Sequence, residues 1–206
     1  ATAKTQTRVS ARYVRVPPNR TRLLINHIPK CGGTTFKDLF KFPKKHRKDA
    51  RPRVAPPDVV TITREFGSSR ENDRMTHYVV ASLRDPCSYY VSLFGYGMKG
   101  AGRYQKQLTV IQPDLFRSGD PSDMRAFHRF LTLSAGCMTM RVWESLPTMD
   151  VDCWVRTGQF YSDLRVCLAK FVAQGGQLVT GWDAYLRQLD VEHRKGKNSS
   201  PHLPCS

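Results

Sequence analysis

An apolar run at residues 23–28 breaks at Pro29 and turns through Lys30, Cys31, Gly32 and Gly33, and two threonines open the next segment. The run reads as a buried strand. Beyond the turn, Phe36, Leu39 and Phe40 stand at i, i+3 and i+4, the spacing of one helix face. A strand passing through a glycine turn into a helix N-terminus constrains this chain more than any other feature. In that geometry the free N–H groups and the positive end of the helix dipole face an anion, and glycine lets the backbone approach it closely. The lysine precedes the glycine pair, however. A nucleoside triphosphatase loop reads G-x-x-x-x-G-K-[ST], and that string does not occur in the chain. The turn therefore reads as a loop for a phosphate-bearing donor, but not for ATP in the usual manner.

A second strand-to-helix junction lies further on. His77–Leu83 is rich in β-formers and runs into Arg84-Asp85-Pro86-Cys87. Pro86 suits the first turn of a helix, and Tyr90, Leu93 and Phe94 give that helix an apolar face. Taken alone, Arg84 reads as a surface salt-bridge partner at a strand end. Further strands are expected at residues 59–63 and 153–160 and helices at 122–134 and around Leu164, Leu168, Phe171 and Val172, the last ended by Gly175-Gly176. Residues 95–120, with five glycines, read as a mobile loop over the site. Strands alternating with helices imply an α/β three-layer sandwich, a central parallel sheet flanked by helices, with ligand at the strands' carboxyl ends.

Pro29-Lys30-Cys31-Gly32-Gly33-Thr34-Thr35 resembles the 5′-phosphosulfate loop of the sulfotransferases that use 3′-phosphoadenylyl sulfate (PAPS). The resemblance implies their P-loop-like fold and a second grip, on the donor's 3′-phosphate. In that family an arginine ends a later strand and a serine stands eight residues on in the next helix. Arg84 and Ser92 have that order and spacing. A guanidinium offers phosphate a two-pronged fork, and a hydroxyl adds a donor.

The activity so implied is PAPS-dependent O-sulfation of a hydroxyl, with adenosine 3′,5′-bisphosphate as product and no metal. Lys30 would stabilise the leaving phosphate, and residues 32–35 would supply backbone N–H groups, with the hydroxyls of Thr34 and Thr35; Cys31 belongs to the same donor-binding loop. The base for the acceptor proton falls to Glu65, after the 59–63 strand. A surface carboxylate paired with Arg64 or Arg70 is the plainer reading of it. His77 is the second candidate, although it starts its strand, and His27 reads as a core histidine. Arg194, Lys195 and Gly196 lie in a basic segment of the kind that closes over the 3′-phosphate and adenine in the family. The Gly-Asp-Trp-Lys string that comes next in cytosolic members is missing, and a solvated tail is the alternative. Residues 153–160 match a family segment in which an acid usually stands at the position of Gln159.

With 206 residues, 40% of them hydrophobic, the chain suits one domain. Residues 1–20 read as a basic arm and 21–206 as the catalytic domain, truncated at its C-terminus. Thirty-three basic against 17 acidic residues give a net charge of +16, much of it at residues 41–53 in a proline-rich loop. That field favours polyanions, a glycan acceptor foremost, against the plainer reading of a solvated loop. Nucleic-acid binding would call for basic residues interleaved with exposed aromatics, which the apolar faces do not supply. A kinase-like phosphotransferase with an atypical loop is the other alternative. No apolar run is long enough to cross a bilayer, so any membrane anchor would lie outside this sequence. No C-x-x-C pair points to zinc. Cys31 and Cys87, inside the two donor motifs, are expected to stay unpaired; Cys137, Cys153, Cys167 and Cys205 are the disulfide candidates. Asn19 and Asn198 head glycosylation sequons, and relatives of this kind work mostly in the Golgi lumen.

Overall fold

The apolar runs form strands because their side chains are buried on both faces, as a parallel sheet between helices requires. In this computed structural model residues 20–40, 54–56, 58–63, 76–100, 103–146 and 151–195 are described. Strand β1 spans Arg22–Asn26, β2 Val60–Ile62, β3 His77–Leu83 and β4 Cys153–Arg156. They form one four-stranded sheet in the order β2-β1-β3-β4. Every neighbouring pair is parallel, with Leu23 opposite Val60 and Tyr78, and Val80 opposite Cys153.

The helices described are α1 (Gly33–Phe40), after β1; α2 (Pro86–Met98), α3 (Arg103–Ile111), α4 (Met124–Leu133) and α5 (Cys137–Ser145), between β3 and β4; and α6 (Phe160–Ala173) and α7 (Trp182–Lys195), after β4. The starts of α2 and α4 are written in the sequence. Asp85 caps α2 by accepting from the Ser88 N–H at 3.0 Å, with Pro86 in the first turn, and Asp123 caps α4 by accepting from the Ala126 N–H at 3.0 Å.

Two apolar cores lie against the sheet. Leu23, Ile25, Tyr78 and Val80 pack with Phe36, Phe40, Leu164, Phe171 and Leu186 of α1, α6 and α7. Ala81 packs instead with α2, α4 and α5, through Tyr89, Phe94, Phe130 and Cys137. Alternate strand residues point to opposite faces, so the helices form two layers with the sheet between them. The α/β sandwich read from the sequence is present at that level. Among the described residues no helix is long and apolar enough to cross a membrane.

Three sequence expectations are corrected. Residues 95–120 are not one continuous loop: the first four complete α2 and Arg103–Ile111 is α3, while 99–100 and 112–120 are turns and irregular backbone. Gly97 lies inside α2 because Phe116 packs on its bare backbone; a β-carbon there would come within 2.6 Å of the ring. Cys87 is disulfide-bonded and Cys137 is a free thiol. Cys87 lies exposed in the first turn of α2, whereas Cys137 is sealed within the α2–α5 core. The strand expected over residues 153–160 stops at Arg156; Thr157–Gln159 is a single tight helical turn and Phe160 opens α6.

Two of the disulfide candidates, Cys153 and Cys167, pair with each other and tie β4 to α6 across 14 residues. Arg20 is buried and joins the same, amino end of β4. Its guanidinium meets Asp152 at 2.7 Å, and Asp152 also accepts from the Val79 N–H at 2.7 Å. Closing a loop of about 15 residues stabilises a fold by roughly 3 kcal/mol in the chain-entropy account. Replacing both Cys153 and Cys167 by alanine should therefore lower the unfolding free energy by about 2–4 kcal/mol in urea titrations. An unchanged midpoint would show that the bridge adds nothing to stability.

Candidate functional site

β2 lies on one side of β1 and β3 on the other, so the connections leaving β1 and β3 diverge to opposite sides. A crevice opens outside the carboxyl ends of two strands at such a reversal. Here that position falls between the loop from β1 to α1 and the junction of β3 with α2, which carry Lys30 and Arg84.

The loop is shaped by hydrogen bonds. Cys31 donates its N–H to the Ile28 carbonyl at 3.2 Å, and Phe36 opens α1 by donating to Gly32 at 3.1 Å. Lys30 is the only non-glycine among the described residues with a positive φ, 63°, and Gly32 has a φ of 85°. The left-handed region costs an L-residue about 1–2 kcal/mol, so it persists only where the surroundings hold it. Two side chains of the β3 end hold it here. The Ser82 hydroxyl donates to the Cys31 carbonyl, and Arg84 Nη1 donates to the Lys30 carbonyl at 3.3 Å. Drawing these carbonyls toward β3 leaves the N–H groups at the start of α1 without intrahelical acceptors, as any helix start does. The first turn of α1 contains no acidic residue to offset its positive end.

The glycine pair is required by contact. A β-carbon at Gly33 would overlap the imidazole of His27, which is buried beneath it, and one at Gly32 would come within 3.0 Å of Phe160 Cε2. Phe160 also packs on Phe36, ring centroids 4.7 Å apart. His27 is thus the core histidine expected, and it explains Gly33. The end of β1 is fixed from both sides. Asn26 Nδ2 donates to the Ser145 carbonyl at 2.8 Å, and the Thr63 hydroxyl accepts from the His27 N–H at 2.9 Å.

Lys30, Thr35, Arg84 and Ser92 are half-buried and Thr34 is exposed. The Lys30 ammonium lies 4.1 Å from the centroid of the Tyr96 ring. Tyr96 stands one turn after Ser92 on the same face of α2. Burial lowers the Arg84 guanidinium from its ordinary value, and nearby Cys31 and Asp85 pull it back up. An arginine stays charged regardless. Burial pushes the Cys31 thiol up to about 11, against the opposing pull of Arg84, so it remains a neutral packing group.

Other expected residues lie elsewhere. His77 is buried at the amino end of β3 and shares a hydrogen bond with the Thr76 hydroxyl. Six residue steps along the strand, roughly 20 Å, separate it from the carboxyl edge where the crevice opens. Glu65, Arg64, Arg70 and Gly196 lie outside the described residues, as do the side chains of Arg194 and Lys195. Gln159, in the position of the expected acid, accepts from Arg156, whose guanidinium also grips Asp163 at 2.8 Å; that ion pair holds the Asp163 carboxyl below the usual range.

Three features were not read from the sequence: the Ser82 clamp, the Lys30–Tyr96 contact and an open cavity of about 350 Å³. The cavity lies between residues 158–162 and the end of α7 at Asp190 and His193, where Tyr161 and His193 meet edge-on. Ser82, two residues before Arg84 in a strand, shares its face; Tyr96, four after Ser92 in a helix, shares its side. Those spacings were available signals. The cavity had none, because it depends on how the end of α7 folds back beside the start of α6.

No family model, curated protein or solved structure matches this chain.

The packing beneath the loop makes two outcomes testable. Gly33→Ala should destabilise the fold by about 1–3 kcal/mol through overpacking, and adding His27→Ala should recover part of that loss in denaturant titrations. Additive losses would contradict the contact. Because the Cys31 thiol is raised in the fold, its contribution is complete below about pH 9 and fades as pH climbs toward about 11. Over that window wild type should lose up to about 1.4 kcal/mol per pH unit more than Cys31→Ala.

Proposed function

We propose that this chain is a PAPS-dependent O-sulfotransferase with the P-loop-like fold of that family, acting on a hydroxyl of a carbohydrate or polysaccharide. One observation carries the reading: the Lys30 loop and Arg84 meet at the reversal point of the sheet, joined by the hydrogen bond from Arg84 Nη1 to the Lys30 carbonyl. Two phosphate-competent motifs 54 residues apart in sequence thus border one crevice.

The residues present suit such a donor. The backbone N–H groups of residues 32–35 with the hydroxyls of Thr34 and Thr35 would hold its 5′-phosphate, and Arg84 with Ser92 its 3′-phosphate. Arg194, Lys195 and Gly196 are proposed to close over the same end. The donor brings an activated sulfuryl group and a phosphate leaving group. In transfer, a bond forms between the acceptor oxygen and sulfur while the bond from sulfur to the 5′-phosphate oxygen breaks. The Lys30 ammonium offsets charge on that departing oxygen, as a preorganised cation at a developing anion does. Glu65 takes the acceptor's proton. Gripping the donor at both phosphates fixes the alignment in-line displacement needs.

The net charge of +16 supports an anionic glycan as acceptor. The bridge between Cys153 and Cys167 and the disulfide at Cys87 suit an oxidising compartment, in keeping with the Golgi lumen.

Adenosine 3′,5′-bisphosphate should raise the melting temperature, by an amount that corresponds to about 2.7 kcal/mol at a hundredfold excess over Kd. Stabilisation by ATP with magnesium instead would favour a phosphotransferase, and by oligonucleotides alone a nucleic-acid binder. Arg84→Ala should weaken bisphosphate binding by about 1.5–3 kcal/mol and abolish transfer of labelled sulfate to glycans. Glu65→Gln should lose turnover while retaining most donor affinity; Lys30→Ala should lose turnover and weaken donor binding as well, because its ammonium also bonds the phosphate. Unchanged affinity in the Arg84 variant would sink the assignment.

A further inference from the structure

Lys30 leaves its loop from a left-handed backbone, and its ammonium rests over the face of Tyr96, 4.1 Å from the ring centroid. Tyr96 is 43% exposed, although its helix buries both neighbours, Gly95 and Gly97. A large aromatic ring kept at the surface on the Ser92 side of α2 contributes little to the core. Its placement makes sense by what lies against it. We propose that Tyr96 is a positioning residue for Lys30, its ring holding the ammonium at the mouth of the crevice until a phosphate takes it over.

The strengths of the two interactions set the order of events. A cation over an exposed aromatic face is favoured roughly two- to fivefold over a free side chain. A charge-assisted hydrogen bond to phosphate is favoured roughly ten- to 150-fold. The ring is therefore strong enough to restrict a lysine with four rotatable bonds, and too weak to keep it once an anion arrives. Lys30 then has two stations, on the ring in the empty site and on the phosphate in the loaded one. A ring-held ammonium has fewer rotamers to search when the donor enters. The identity of that phosphate rests on the sulfotransferase reading; the ring contact does not.

The test uses the full chain as wild type, Tyr96→Phe and Tyr96→Leu. Phenylalanine keeps the ring face and leucine removes it, and circular dichroism confirms that each variant is folded. Trace acetylation without nucleotide, quantified by peptide mass spectrometry, reports the reactivity of Lys30 relative to exposed Lys106 and Lys170. A ring-stabilised ammonium is slower to yield the free amine. Tyr96→Leu should raise relative labelling of Lys30 roughly two- to fivefold, and Tyr96→Phe should match wild type. Equal labelling in all three would overturn the proposal. Adenosine 3′,5′-bisphosphate is then added, and should protect Lys30 in every variant. Labelling that tracks the ring but ignores the bisphosphate would uphold the Tyr96 role while overturning the donor reading. In transfer assays, kcat/KM for the donor should fall roughly two- to fivefold in Tyr96→Leu and return in Tyr96→Phe. Equal loss in both would point to the tyrosine hydroxyl and overturn the ring's part.

Discussion

Two side chains at the carboxyl end of β3 hold the backbone of the loop that leaves β1. Ser82 binds the carbonyl of Cys31 and Arg84 that of Lys30, so consecutive peptide groups are drawn to one side. A neutral hydrogen bond contributes about 0.5–1.5 kcal/mol net and one from a charged group about 1.5–3. Together they exceed the roughly 1–2 kcal/mol that the left-handed backbone of Lys30 costs. The direction of the free N–H groups at the start of α1 depends on this clamp. It exists because the parallel order places β3 directly beside β1.

Around that clamp the molecule combines a stiff floor with an open rim. Asn26, fully buried, ties the end of β1 to the last residue of α5, and Thr63 ties it to the end of β2. His27 and Phe160 fill the space beneath the loop, leaving no room for β-carbons on the glycine pair. Lys30, Arg84, Ser92 and Tyr96 stand at the rim, half-buried or exposed. Rigid backbone with accessible cations is what recognition of a charged small molecule requires: the donors are aimed in advance, and the side chains at the rim can close on the ligand.

Much of the fold was legible where local chemistry and burial agree. β3 has the limits its β-formers gave it, and α2 starts at the proline and capping aspartate that announce it. The glycines at 95 and 97 misled, because glycine reports either conformational freedom or close packing, and at Gly97 it is the packing of Phe116. α5 and α7 went unread, although Trp182, Tyr185, Leu186 and Leu189 repeat at helical spacing and pack toward the first core. For the site, the two motifs and their order were visible. Their hydrogen bond, the buried imidazole behind Gly33 and the ring beneath Lys30 were not, because each joins residues from separate elements.

The sequence by itself determined which segments become strands and helices, where a helix start would present free N–H groups, and which cations stand at strand ends. Side-chain periodicity, capping and turn chemistry decide these, and all are local within a few residues. Only the tertiary structure decided that the two strand ends are neighbours, that Cys87 rather than Cys137 enters a disulfide, and that Lys30 meets Tyr96. Such choices depend on how the strands are ordered and which surfaces are sealed, and those are settled by the packing of the whole chain.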